Sequence, residues 1–414
     1  MTTGLDWSAA FAGRAARMGA SEIRELLKLL DQPDIISFAG GIPNPGLFPA
    51  TAMAEAYAAI LADPALASQA LQYSVSEGYA PLREWISSHM ARQGVPCTID
   101  NIVITSGSQQ GLEFLGRLFL GPRDTALVTA PTYLGALQAF NAYEPCYDTL
   151  MPEGGNRTPA SFAKTAAERG GKVKFAYVVP DFANPSGVTL SRPARASLLD
   201  LAQALDIPII EDSAYRELRY EGEDVPPVIA LDVARAGHID RTRTIYCGTF
   251  SKTLAPALRI GWICAAAPLI QKLVLVKQAS DLHSATLNQM AMHRVATAVY
   301  GPRLPDLRAA YRRRRDAMLA ALERHMPGDA QWTRPEGGLF VWVTLPEGLD
   351  GAELLARAVR EIRVAFVPGK AFFGENARAN TIRLSFSLSS EQEIETGIAR
   401  LGQLVTRLAQ GRAA

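Results

Sequence analysis

The chain has 414 residues, 48% of them hydrophobic and 20% charged, with a formal net charge of +1. That length exceeds what one hydrophobic core organises, so two domains are expected. The balanced charge supplies no field to attract nucleic acid, and no run reaches the roughly eighteen apolar residues that span a bilayer, so neither is expected as a partner.

In chain order, the first pattern is Ile23, Leu26, Leu27 and Leu30 at helical spacing, which leaves Arg24 on the polar side. A Gly- and Pro-rich run, Ser37-Phe-Ala-Gly-Gly-Ile-Pro-Asn-Pro-Gly-Leu-Phe-Pro49, follows it and contains Gly41. Residues 101–106 read as an apolar strand that turns at Gly107 into a helix marked by Leu112, Leu115 and Phe119. The free N–H groups of such a helix start, with Ser108 and Gln109 in its first turn, form an anion site suited to a phosphate. No Walker-type motif and no spaced GxGxxG accompanies it, so a nucleotide site is not supported.

A second strand over 124–129 leads to Tyr133, whose ring suits either a cofactor face or the core. The strand at 173–179 breaks into Asn184-Pro-Ser-Gly187, a turn sequence that sets Asn184 just past the strand end. The apolar strand at 207–211 ends at Asp212, with Tyr215 three residues on. A buried carboxylate there would keep a heterocyclic nitrogen protonated, although an aspartate after a strand also suits a helix N-cap. Asn184 and Tyr215 are two hydrogen-bond donors able to stabilise a phenolate.

Strands are expected over 243–248 and 258–265, and between them lies Thr249-Phe-Ser-Lys252, with Arg259 seven residues after the lysine. A lysine amine beside a fixed cation and two hydroxyls, Thr249 and Ser251, suits an aldehyde cofactor with a phosphate, namely pyridoxal 5'-phosphate. After Pro305 a helix is expected, with the run Arg312-Arg-Arg-Arg315 as its solvated face. Gly338 to Leu345 reads as a strand. Asn380 to Leu388 alternates strictly, with Ile382, Leu384 and Phe386 on one side and Arg383, Ser385 and Ser387 on the other. Arg383 therefore points away from the apolar side, where a guanidinium can grip a carboxylate through paired hydrogen bonds.

Strands mostly separated by helices predict an α/β fold, with a mainly parallel sheet covered on both faces and candidate residues clustered past the strand C-termini. The expected division is a large domain over 46–304, a smaller α+β domain over 305–414, and an N-terminal segment, 1–45, that joins the smaller one. Cys97, Cys146, Cys247 and Cys264 lack disulfide or zinc spacing, so reduced thiols, no metal and a cytoplasmic location are expected. His283, the histidine nearest Lys252 in sequence, reads as structural.

Gly107-Ser-Gln109, Asn184-Pro-x-Gly187, Asp212-x-x-Tyr215, Ser251-Lys252, Arg259 and Arg383, in this order, resemble the class I/II aminotransferases of pyridoxal-phosphate fold type I. The Ser37 to Pro49 run resembles the branch with 2-aminoadipate and kynurenine aminotransferases. The resemblance implies that Lys252 binds the cofactor aldehyde and shuttles protons, Asp212 pairs the pyridinium, and Asn184 and Tyr215 bind the phenolic oxygen. It implies phosphate contacts from Ser108, Gln109, Thr249, Ser251 and Arg259, with Tyr133 against the ring. Substrate contacts fall to Arg383, Asn184, Gly41 and Arg24. Tyr73, in Gln72-Tyr-Ser-Val-Ser-Glu-Gly78, matches a tyrosine that reaches the phosphate of a neighbouring subunit, which implies a homodimer with a shared site.

The expected activity is transamination from a long acidic or aromatic L-amino acid to a 2-oxo acid such as 2-oxoglutarate. The alternatives are a lyase or decarboxylase with the same cofactor, and an effector-binding regulator, for which the residues before Ser37 are too few to form a basic winged-helix module.

Overall fold

The computed structural model describes residues 4–19 and 34–413. Its strands are β1 (Ile36–Ser37), β2 (Ile102–Thr105), β3 (Thr125–Thr129), β4 (Cys146–Leu150), β5 (Val173–Val178), β6 (Ile209–Asp212), β7 (Thr244–Thr249) and β8 (Gly261–Cys264), then β9 (Gln331–Trp332), β10 (Phe340–Thr344), β11 (Val364–Ala365), β12 (Val367–Pro368) and β13 (Thr381–Ser385). Seven of them form one sheet in the order β2-β8-β7-β6-β5-β3-β4. Pairing is parallel from β4 through β7, and β8 runs antiparallel to both of its neighbours.

The parallel strands are apolar along their length because both faces are covered. On β5, Phe175 and Tyr177 enter the larger core with Phe114 and Phe140, whereas Ala176 and Val178 enter a second core with Leu127, Leu198 and Ile209. Phe140 meets Phe175 nearly edge-on at 5.0 Å. Every strand end on the β7 side of these two cores is thereby held from above and below.

Several boundaries differ from the periodicity, each for a local reason. The expected 207–211 strand starts at Ile209, because Pro208 has no N–H to donate and pairing to the next strand opens with Ile209 N on Arg243 O. The expected 258–265 strand shortens to β8, since residues 256–258 form a 3₁₀ turn and Arg259 takes a left-handed φ of 54°. The edge strand β4 escapes the pattern search because Asp148 and Thr149 interrupt its apolar positions.

The helix expected after Pro305 instead begins at Thr286 and runs 40 residues to His325, with Pro302 and Pro305 inside it. Burial of Met290 and Val295 in one half and of Leu307, Tyr311 and Met318 in the other outweighs the two lost backbone hydrogen bonds. It packs against Ala50–Ala62 and against the last helix, Glu391–Ala413. The basic run on this helix is not uniformly solvated. Arg315 is 3% exposed, ion-paired to Glu221 at 2.8 Å and donating to the Pro335 carbonyl at 2.7 Å.

The later strands form a four-stranded antiparallel sheet, β12-β13-β10-β9. Strand β1 pairs in parallel with β11, so Ile36 lies opposite Val364 and the segment after it runs along the Arg383 strand. Among the described residues no helix is long and apolar enough to cross a membrane.

Candidate active site

A cavity of about 260 Å³ opens where β6 and β7 end and where β10 and β13 approach them. Its wall carries Ser108, Gln109, Tyr133, Asn184, Asp212 and Tyr215 from one region of the sequence. Thr249, Ser251, Lys252, Arg259, Gly41 and Arg383 complete the expected residues there. The sequence separates these groups by hundreds of positions; the C-termini of the parallel strands emerge on one edge of the sheet, and the Arg383 strand and the Gly41 segment close over that edge.

Lys252 follows β7 and donates from Nζ to the Gly41 carbonyl at 2.9 Å. Burial disfavours its ammonium form, and the charges of Arg383 and Arg259 add to that, so its pKa falls to about 8 despite the opposing pull of Asp212. Asp212, at the end of β6, is buried and accepts from the Tyr177 hydroxyl through Oδ2 at 2.8 Å. Its other oxygen, Oδ1, is buried without a partner. Desolvation raises this carboxyl to about 6, against the lowering effects of Tyr177 and Lys252. The N-cap role open to Asp212 in the sequence is not the one found, since the residue belongs to the strand and the next helical turn is preceded by Tyr215.

Tyr215 is 6% exposed and lines the cavity with Asn184; burial pushes its phenol well above the usual tyrosine range. The Asn184 oxygen in turn accepts from Arg383 Nη1 at 2.8 Å. Arg383 sits on β13 opposite Trp342 and donates through Nη2 to the Ala39 carbonyl at 2.6 Å. Its guanidinium lies 4.3 Å from the Phe340 ring centre, and its Nε has no partner. Burial lowers its pKa to about 10. Far from being a surface arginine, it is 1% exposed, because the cavity side of β13 is roofed by residues 39–42.

The anion cradle forms at the start of the helix Ser108–Phe119. Gly107 has φ +82°, and a side chain there would overlap the Arg259 guanidinium. A Cβ at Gly261 would come within 2.6 Å of the Ser108 amide. These two glycines let Arg259 and the helix N-terminus share one small space. Thr249 donates to Ser251 Oγ at 2.9 Å beside them. Gln109 is turned toward the Gly135 carbonyl, to which it donates at 2.6 Å. Tyr133 caps the cavity laterally, with its phenol pushed up to about 12 by burial.

One expected residue lies elsewhere. Tyr73 is 80% exposed and does not line the cavity; its ring meets His283 edge-on at 6.0 Å. Arg24 lies outside the described residues. His283 is in hydrogen-bond range of the Ser284 carbonyl at 3.0 Å and is absent from the cavity wall.

The sequence reading missed Phe340, Ile42, Val179, Ala214 and Pro256 on the wall, and Tyr177 behind it. Phe340 stood in a recognised strand after two glycines, but only the crossing of β10 over the cavity gives it a role. A larger groove of about 810 Å³, lined by Trp85, His89 and Arg308 among others, contains none of the expected site residues.

Among the described lining residues, three cations, Lys252, Arg259 and Arg383, face one carboxylate, Asp212. Such a site binds anionic groups at two places and keeps an amine near neutrality between them. The fold and this site define an aminotransferase of fold type I. The chain belongs to the family aminotransferase class I and II, which it matches over residues 33–401.

It is 44% identical to aromatic-amino-acid aminotransferase 1 of Thermococcus litoralis, covering 97% of this chain and 95% of that one. The crystal structure of the alpha-aminoadipate aminotransferase LysN of Thermus thermophilus, complexed with N-(5'-phosphopyridoxyl)-L-leucine, superposes with a TM-score of 0.87 at 40% identity, over 98% of this chain and 100% of that one. A kynurenine aminotransferase of Pyrococcus horikoshii gives a TM-score of 0.88 at 43% identity, over 97% and 98% of the two chains.

The lowered amine pKa has a direct readout. Only the neutral amine is nucleophilic, so acetylation of Lys252 in protein freed of small molecules is expected to rise with pH through about 8. Quantitative peptide mass spectrometry across a pH series gives the midpoint. A midpoint near the ordinary lysine value of about 10.4 contradicts the assignment.

Proposed function

We propose that this chain moves an amino group between an L-amino acid and a 2-oxo acid with pyridoxal 5'-phosphate as cofactor. The observation that carries the proposal is the buried, unpartnered Oδ1 of Asp212 in the same cavity as the Lys252 amine and a separate anion cradle. The cofactor's own groups match these three features: an aldehyde, a basic ring nitrogen and a phosphate.

When bound, the cofactor supplies an electron sink for the pair left when the substrate α-proton departs. Asp212 Oδ1 would hold the ring nitrogen cationic, while Asn184 and Tyr215 donate to the phenolic oxygen. Ser108, Gln109, Thr249, Ser251 and Arg259 would hold the phosphate, with Tyr133 against the ring. Lys252 Nζ would hold the cofactor's aldehyde, and its amine would be the base that moves the substrate α-proton. Arg383 would grip the substrate α-carboxylate, beside Gly41 and Asn184, and its buried Nε gains the partner it lacks.

The donor is a long acidic or aromatic amino acid, a reading supported by relatives named for aromatic, aminoadipate and kynurenine substrates, and the proposed acceptor is 2-oxoglutarate. We place the chain in the cytoplasm, which suits its four free cysteines. We divide it into a cofactor-binding domain over 46–304 and a smaller domain over 305–414 joined by residues 1–45, supported by the β1–β11 pairing. Asp212 and Lys252 come from the first, Arg383 and Phe340 from the second.

Borohydride reduction of the purified protein followed by peptide mapping is expected to place a pyridoxyl group on Lys252. Initial rates are expected to give parallel double-reciprocal plots. Colourless protein that takes up no cofactor, or intersecting plots, overturns the proposal.

Arg383→Met removes a charge-assisted pair worth about 1.5–3 kcal/mol, so kcat/KM for every amino donor is expected to fall by roughly 10- to 150-fold. Steady-state kinetics with three donors checks it, and a loss confined to one donor would shift the role of Arg383 to side-chain recognition.

We further propose a homodimer in which Tyr73 reaches the partner's phosphate. Support comes from its exposure at 80% between Leu71 at 71% and Val75 at 58%, an apolar strip that a monomer leaves in water. Sedimentation at micromolar concentration is expected to give twice the chain mass, and a monomer counts against the shared site.

A further inference from the structure

Behind the cavity lies a buried charge cluster outside the set of groups assigned to substrate and cofactor. Asp181 is 1% exposed and receives three guanidinium groups. Arg195 Nη2 donates at 2.8 Å and Arg219 Nη2 at 3.1 Å to Oδ1, while Arg195 Nη1 at 3.3 Å and Arg216 Nη1 at 3.4 Å reach Oδ2. Arg195 is fully buried on the helix Arg192–Leu205 and also donates to the carbonyls of Pro180, Leu190 and Pro226. It fixes the carboxylate from below.

The other two arginines belong to the turn after β6. Arg216 adjoins Tyr215 directly, and Arg219 closes the same turn with its guanidinium 4.7 Å from the Phe182 ring centre. Asp181 itself stands three residues before Asn184 in the neighbouring turn. The carboxylate therefore links the backbone that carries Asn184 to the backbone that carries Tyr215, and those two side chains line the same cavity wall.

We infer that Asp181 is a positioning residue that holds Asn184 and Tyr215 together as a paired donor site for the cofactor's phenolic oxygen. Without its charge, three cations crowd one buried point, and like-charge repulsion displaces the Arg216–Arg219 turn, whereas Arg195 stays tethered to the carbonyls of Pro180, Leu190 and Pro226. Asp224 and Glu336 compensate from outside, at 73% and 49% side-chain exposure, where solvent screens them, and the buried Glu211, which also faces Arg195 and Arg216, is already committed to the Val228 and Ile229 amides. The inference rests on the proposed cofactor reading.

The test follows the visible absorption of bound pyridoxal 5'-phosphate against pH, a signature that responds to donors at the phenolic oxygen. In Asp181→Asn the midpoint of the spectral change is expected to rise by about one pH unit, because the anionic oxygen loses stabilisation. In a Tyr215→Phe background the same substitution is expected to add less than half of its single effect, the coupling that residues acting through one contact display. Cofactor affinity of the stripped protein, set mainly by the phosphate cradle, is expected to change less than about threefold.

If Asp181→Asn does not accumulate as folded protein, Arg219→Met keeps Arg195 paired and is expected to shift the midpoint upward by about half a unit. A folded variant whose midpoint matches the parent, or effects that simply add in the Tyr215→Phe background, overturns the inference. A parent protein with no visible band overturns the cofactor reading instead, and the two failures are thus distinguishable.

Discussion

Removal of water from one amine and one carboxylate is the constraint on which the rest of this structure depends. In solvent, a lysine and an aspartate near two other charges, Arg259 and Arg383, would both stay ionised and inert. Inside the cavity, burial lowers the Lys252 amine to about 8 and raises the Asp212 carboxyl to about 6, so both groups become responsive near neutral pH. The surrounding cations shape the difference further: Arg383 and Arg259 oppose a charged lysine, and Tyr177 keeps the carboxylate from losing its charge altogether. The two cores on either face of the sheet exist, in functional terms, to hold these groups dry without letting them collapse onto each other.

Arginine serves three different purposes here, and burial distinguishes them. Arg259 occupies a space cleared by Gly107 and faces the anion cradle. Arg383 is nearly inaccessible, stacked on Phe340, and retains an unpaired Nε. Arg195, Arg216 and Arg219 are spent on one internal carboxylate. A rule that assigns every guanidinium to the surface would have mistaken the last two classes, and the run at 312–315 shows the same error in miniature, with Arg315 tied to Glu221 beneath a solvated helix.

Much of the site was legible because strand ends are marked in sequence by where apolar runs stop. Asp212, Asn184, Thr249 and Ser108 each follow such a run, and a parallel sheet leaves those ends no choice but to gather on one edge. What could not be read is whatever depends on one segment crossing another. Phe340 lies mid-strand with no local mark of function, Tyr177 is one more ring in an apolar strand, and Asp181 reads as a turn residue. The long helix shows the opposite failure: its start was read after Pro305, and burial along both halves carries the backbone through that proline and Pro302. Periodicity reports the forces within a segment, whereas these features answer to forces between segments.

The parallel pairing of Ile36 with Val364 ties the beginning of the polypeptide to a point more than three hundred residues later. Residues 39–41, which follow that pairing, supply the carbonyls that meet Arg383 and Lys252. During ribosomal synthesis the central sheet can therefore assemble while the front of the chain still waits for its partner strand. The cavity is roofed only once the strands that carry Val364 and Arg383 have been made, so a shorter nascent product can fold the central sheet and still leave the Lys252 pocket open.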